Sequence, residues 1–163
     1  MAKVMYPGTF DPITKGHLDI IQRASEMYEE VYVAIMVNPR KTCTFNGEER
    51  KALIEKCVKD FSNVKVILGD GLTVRLAKDL GCKALVRGIR AVADYEYELA
   101  QATTNMMLDS SIETVFLVAK PEYSFLSSSI AKEIAMFDGD ISALIPEAIH
   151  NEVLDRLYAN KRS

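Results

Sequence analysis

Cysteine is scarce in this chain. Three are present among 163 residues, Cys43, Cys57 and Cys82. They are too few and too far apart for a disulfide frame or a C-x-x-C metal site, so they read as reduced thiols, with Cys57 on an apolar helix face. Histidine is scarcer still: His17 and His150 are the only two, which excludes a His-rich metal cluster. No apolar run approaches the roughly 20 residues that a membrane span needs. The first residues enter a strand-like stretch rather than a basic-then-apolar signal segment, so a cytoplasmic protein with no membrane partner is expected. Neither sign of charge dominates, with 20 Lys and Arg against 23 Asp and Glu, a net charge of -3. That excludes attachment to nucleic acid by bulk charge but leaves room for a local basic pocket. There is no linker, low-complexity segment or fixed-period repeat, and the length fits one domain, 1–163, with a real core.

What is present is an alternation of apolar patterns. After a first strand beginning at Val4, Leu18, Ile21, Ala24 and Tyr28 recur at helical spacing. Val31–Val37 is almost continuously apolar, as in a strand buried on both faces. Glu48–Phe61 is helical, with Leu53, Ile54, Cys57, Val58 and Phe61 on one face. Val64–Leu68 is a third strand, Leu72 to Leu80 a helix stopped by Gly81, and Ala84–Val86 a short fourth strand. A long helix from about Val92 to Leu108, a strand over Thr114–Ala119, and helices over Ser128–Phe137 and from Pro146 to about Tyr158 complete the chain. Strands alternating with helices of this length predict a Rossmann-like α/β fold, a doubly wound five-stranded parallel sheet with C-terminal helices. In such sheets ligands bind at the carboxyl ends of the strands, where strand order reverses.

The chemistry-bearing residues gather at those ends. The first strand stops in Y-P-G-T-F-D-P-I-T-K-G-H, broken at Pro7-Gly8 and again at Pro12. A helix beginning near Gly16 or His17 puts His17 beside unpaired amides at the positive end of a helix dipole, a good place for phosphate. Lys41, Arg87 and Arg90 converge on the same crevice. Arg87 and Arg90 either pair with Asp94 or Glu98 as a structural network or bind phosphate oxygens, and Lys41 taken alone reads as a solvated loop cation. Ser127, Ser128 and Ser129 cap a helix, and the same hydroxyls and amides can bind an anion, with Lys132 one turn in. No Ser and His are spaced to suggest a Ser-His-Asp hydrolase. Met106-Met107-Leu108 reads as core or as an interface.

The T-K-G-H string resembles the phosphate-gripping signature of the nucleotidyltransferase superfamily. Together with V-R-G-I-R-A-V-A-D-Y-E-Y-E and Y-S-F-L-S-S-S, in that order, it makes nearly the whole chain similar to the bacterial phosphopantetheine adenylyltransferases. The resemblance implies transfer of AMP from ATP to 4'-phosphopantetheine, giving dephospho-coenzyme A and pyrophosphate. It implies that His17 stabilises the transition state and that Thr9 and Phe10 lie on the nucleotide. Gly88, Ile89, Arg90 and Glu98 would also contact ATP, together with Tyr123, Ser124, Phe125, Leu126, Ser127, Ser128 and Ser129. Thr9, Lys41, Thr73 and Arg87 would hold the acceptor. It further implies Mg²⁺, resting on phosphates and water, and a homohexamer. Transfer to another phosphorylated acceptor such as nicotinamide mononucleotide, use of CTP, and a non-catalytic nucleotide-binding regulator are the competing readings.

Overall fold

The computed structural model describes residues 2–163. The strands are β1 (Lys3–Gly8), β2 (Glu30–Met36), β3 (Val64–Gly69), β4 (Ala84–Ile89) and β5 (Glu113–Val118). The helices are α1 (Lys15–Met27), α2 (Gly47–Val58), α3 (Thr73–Asp79), α4 (Val92–Leu108), α5 (Ser128–Met136) and α6 (His150–Arg162). Short 3-10 turns at Pro121–Tyr123 and Glu147–Ile149 precede α5 and α6. The five strands form one sheet in the order β3-β2-β1-β4-β5, every pairing parallel. This is the expected Rossmann-like, doubly wound α/β architecture.

Successive residues of β1 point to opposite faces, so one short strand serves two cores. Val4 and Tyr6 pack with Ile21, Ile54, Ala131 and Val153 from α1, α2, α5 and α6. Met5 packs on the other side with Val74, Ala77 and Leu85. Burial of each such aliphatic side chain contributes about 1.5–3 kcal/mol, so the β1–β2 centre is the least yielding part of the sheet.

Strand order reverses between β1 and β4, and here the pairing is short. Register is kept only for Val4 with Ala84 and Met5 with Leu85, whereas β4 and β5 stay in register from Ala84 to Ile89. The carboxyl halves of β1 and β4 therefore diverge, and the gap between them is the crevice in which the candidate residues meet.

Three sequence expectations are corrected. β4 does not stop at Val86: it runs to Ile89, because β5 continues to offer ladder partners up to Val118. Arg87 is thus held by a strand rather than by a loop. The core reading of Met106-Met107-Leu108 fails. All three are exposed, Met107 at 85%, and Glu98 is the one buried residue of α4. α2 also ends at Val58 rather than Phe61, although Phe61 still packs against the core from the following turn.

Candidate active site

The loop after β1 is built around a ring that needs a missing side chain. A Cβ on Gly8 would lie 2.9 Å from two ring carbons of Phe10. Phe10 itself has φ of 50°, in the left-handed region, where a bulky residue costs about 1–3 kcal/mol. Burial of its ring offsets that cost. The ring is edge-on to Tyr6 at 5.2 Å and to His17 at 5.0 Å between centroids, so it forms the floor under the imidazole.

Thr14 and His17 lock each other. Thr14 is the N-cap of α1: its Oγ1 accepts from the His17 amide at 3.3 Å, and its own amide donates to His17 Nδ1 at 3.0 Å. An imidazole nitrogen that accepts a backbone N–H carries no proton, so this bond assigns the ring proton to Nε2. Burial, then the nearby guanidiniums of Arg90 and Arg87, push the His17 pKa down to about 4. His17 is therefore a neutral N–H donor at ordinary pH, fixed in orientation by the residue three positions before it.

A first cavity opens over this imidazole. His17, Gly88, Arg90, Tyr123, Ser127 and Ser128 are among its lining residues. Ser127 caps α5 by accepting from the Ile130 amide at 3.1 Å, and Ser128 donates to the Pro12 carbonyl at 2.7 Å, which ties α5 to the β1 loop. Arg90 grips Asp94 through Nε and Nη2 at 2.8 and 3.1 Å and donates from Nη1 to the Leu126 carbonyl at 2.7 Å. It thereby fixes the segment between β5 and α5.

A second cavity lies on the other side of Arg87. It takes in Thr9, Lys41, Thr73 and Arg87, and along α4 the stripe Glu98, Gln101 and Asn105. Arg87 and Glu98 line both cavities and are the wall between them. The wall is a bidentate pair, Nε to Oε2 and Nη2 to Oε1, each 2.7 Å, and the third guanidinium nitrogen donates to the Pro7 carbonyl across the β1–β4 gap. A third cavity, bordered by Thr9, Lys41, Ser128, Ser129 and Lys132, shares residues with each of the others.

The residues singled out in the sequence divide accordingly. The four assigned to the acceptor share the second cavity. Of those assigned to ATP, His17, Gly88, Arg90, Glu98, Tyr123, Leu126, Ser127 and Ser128 line the first. Thr9 and Ser129 border the third cavity, while Phe10, Ile89, Ser124 and Phe125 line none of the three. Phe10 meets the site through His17, and Phe125 is exposed. The sequence reading named Glu98 but missed Gln101 and Asn105, which follow it on the same face of α4. It also missed Thr14 as the partner that sets the His17 tautomer.

No group of three or more His, Cys, Asp and Glu side chains stands together among the described residues. Asp11, a buried acid bordering the third cavity, is committed to the Thr44 and Phe45 amides and to Lys132, and Glu98 is committed to Arg87. Among the described residues no acidic cage stands at the crevice.

A family model described as cytidylyltransferase-like matches residues 5–134. The chain is 52% identical over 159 residues to the phosphopantetheine adenylyltransferase of Lachnoclostridium phytofermentans, covering 98% of this chain and 97% of that one. It is 50% identical over 154 residues to the protein of the same name from Finegoldia magna, covering 94% and 95%. It is 47% identical over 158 residues to that of Thermotoga neapolitana, covering 97% and 98%.

Proposed function

The chain belongs to the cytidylyltransferase-like family, among the phosphopantetheine adenylyltransferases, and on that premise we propose that it transfers the adenylyl group of ATP to 4'-phosphopantetheine in the crevice between β1 and β4. The products are dephospho-coenzyme A and pyrophosphate. The observation that carries the reading is the pair of cavities separated only by Arg87 and Glu98: a reaction between two phosphates needs two anion sites with one shared edge.

The attacking group is a phosphate monoester, already an anion near neutral pH, so no general base is required. Its oxygen attacks the α-phosphorus of ATP, a new P–O–P bridge forms, and the bond to the β-phosphate oxygen breaks in line as pyrophosphate leaves. The protein contributes placement and charge stabilisation. His17 donates its Nε2 proton in a hydrogen bond to an α-phosphate oxygen as charge builds there. Arg90 and the α5 N-terminus with Ser127 and Ser128 face the nucleotide, and Thr9, Lys41, Thr73 and Arg87 face the acceptor. Mg²⁺ enters as part of the substrate, on the triphosphate and water, which suits a site without an acidic cage.

The same reading includes a homohexamer working in the cytoplasm. Among the described residues no helix is long and apolar enough to cross a membrane. α4 carries Val92, Tyr97 and Met107 uncovered, the kind of exposed apolar surface that marks subunit contact. Light scattering should give six times the 18.2 kDa of one chain. The deciding experiment is pyrophosphate release with Mg·ATP and a panel of phosphorylated acceptors. Release with 4'-phosphopantetheine alone is expected. Release with nicotinamide mononucleotide, release from CTP in place of ATP, or binding of ATP without turnover would each replace the reading with one of its competitors.

A further inference from the structure

Arg50 lies in the second turn of α2 and is 3% exposed. Buried guanidiniums are costly unless a carboxylate compensates them. Arg23, Arg87, Arg90 and Arg156 each have such a partner. Arg50 forms no ion pair among the described residues and lines none of the three cavities that meet at the crevice. What it does reach is backbone: Nη1 donates to the Thr9 carbonyl at 2.8 Å and Nε to the Asn46 carbonyl at 3.3 Å. A methionine of similar reach would fill the space without desolvating a charge.

The Thr9 carbonyl belongs to the peptide that joins Thr9 to Phe10, the residue held at φ of 50°. That peptide governs two things. On one side it sets Thr9, which borders the second and the third cavity. On the other it sets Phe10, whose ring lies under His17. We propose that Arg50 is a positioning residue for the transfer reaction: its fork pins the Thr9–Phe10 peptide to α2, and through it fixes the acceptor-side hydroxyl of Thr9 and the floor of His17.

Other contacts hold α2 and the loop before it in register, so the fold does not rest on Arg50. Asp11 accepts from the Thr44 and Phe45 amides at 2.8 and 2.9 Å. Arg156 of α6 donates to the Thr44 carbonyl at 2.9 Å and grips Glu49. Removal of the Arg50 guanidinium therefore frees one strained peptide inside a loop that remains anchored. A lysine keeps the charge but cannot serve two carbonyls with a planar fork.

The proposal rests on the adenylyl-transfer reading, and the test separates the two. The parent and the variants Arg50→Met, Arg50→Lys and Arg50→Ala are assayed with Mg·ATP and 4'-phosphopantetheine, with circular dichroism, unfolding midpoints and calorimetric ATP binding alongside. Arg50→Met and Arg50→Ala are expected to lose about 10²-fold in kcat/KM for the acceptor, the effect of a misplaced reacting group, with ATP affinity within about threefold of the parent. Arg50→Lys should recover part of the loss. Added methylguanidinium should restore activity to Arg50→Ala by about tenfold while leaving the parent unchanged, a response that a merely destabilised protein would not give. A folded Arg50→Met with parent-like constants, or an equal loss of affinity for both substrates, overturns the proposal. Should Arg50→Met and Arg50→Ala fail to fold, Arg50→Lys decides, and parent-like acceptor kinetics in it have the same consequence. A parent that releases no pyrophosphate brings down the functional reading and this proposal with it; an active parent with indifferent variants removes Arg50 alone.

Discussion

The two cavities share a wall and are otherwise made in different ways. The first also draws on distant elements, but its key groups are fixed locally: Thr14 and His17 hold each other across three residues, and Ser127 caps its own helix. Its key donor is oriented before any ligand arrives. The second is assembled from residues distant in sequence, Thr9, Lys41, Thr73 and Arg87, and completed by α4, which buries only one of its residues. A site of the first kind keeps its chemistry through modest changes elsewhere. One of the second kind depends on the packing of several elements, and can take a longer and more variable ligand. Only Arg87 and Glu98 belong to both, so they are the residues whose removal should be felt on both sides.

The strongest way to sharpen this contrast is His17→Ala. Loss of one transition-state donor should lower kcat by about 10²- to 10³-fold, while equilibrium binding of each substrate changes far less. A kcat within about threefold of the parent would remove His17 from the mechanism. Next in size is Glu98→Gln, which leaves Arg87 in the crevice without its carboxylate. Breaking such a pair should lower unfolding free energy by about 3 kcal/mol, measured by denaturant titration, and raise both KM values together. A rise in one KM alone would show that the wall belongs to one cavity.

A smaller and more selective effect is expected from Lys41→Ala. Lys41 borders the second cavity and not the first. Its loss should raise the acceptor KM by about tenfold, the worth of one charged hydrogen bond, and leave the ATP KM unchanged. Arg87→Ala should raise the acceptor KM more than the ATP KM but move both, because the guanidinium faces both cavities. Steady-state kinetics on the two variants side by side would break the comparison if Lys41→Ala disturbed ATP as much as the acceptor.

The same contrast governs how much of the site could be read from sequence. T-K-G-H disclosed the helix start and the imidazole because cap and donor lie within one turn. The strand-end rule gathered Lys41, Thr73 and Arg87, since α/β alternation alone fixes which loops meet. Arg90 and Asp94 sit four residues apart, so their pairing could be read as one alternative, and the structure contains it. The divergence of β1 from β4 could not be foreseen, because periodicity gives strand identity and not where pairing stops. The extension of β4 through Arg87 was hidden for a related reason: a charged residue ends an apolar run without ending a ladder. Gln101 and Asn105 look like ordinary solvated helix positions until the opposite wall is known. Arg50 looks like one more surface cation in the run Glu48-Glu49-Arg50-Lys51, and only tertiary burial distinguishes it.

The smallest effect is an expected flatness, and it separates the cavities by pH. His17 has its pKa lowered from 6.5 to about 4. Above 6.5 the ring is neutral in both folded and unfolded chains. As pH falls from 6.5 towards 4, the unfolded chain takes up a proton that the folded one refuses, so this group's contribution to stability is lost across that window and levels off below it. Ring resonances of His17 followed by NMR should therefore stay unchanged from about pH 8 to 5.5, well above the range in which the ring titrates. The acceptor phosphate behaves otherwise, since its second ionisation falls near pH 6, so kcat/KM for the acceptor should decline below about pH 6 while the imidazole signal does not move. A His17 midpoint near 6.5 would mean a ring that feels neither burial against Phe10 nor the two guanidiniums, and the fixed neutral donor that distinguishes the first cavity from the second would be lost.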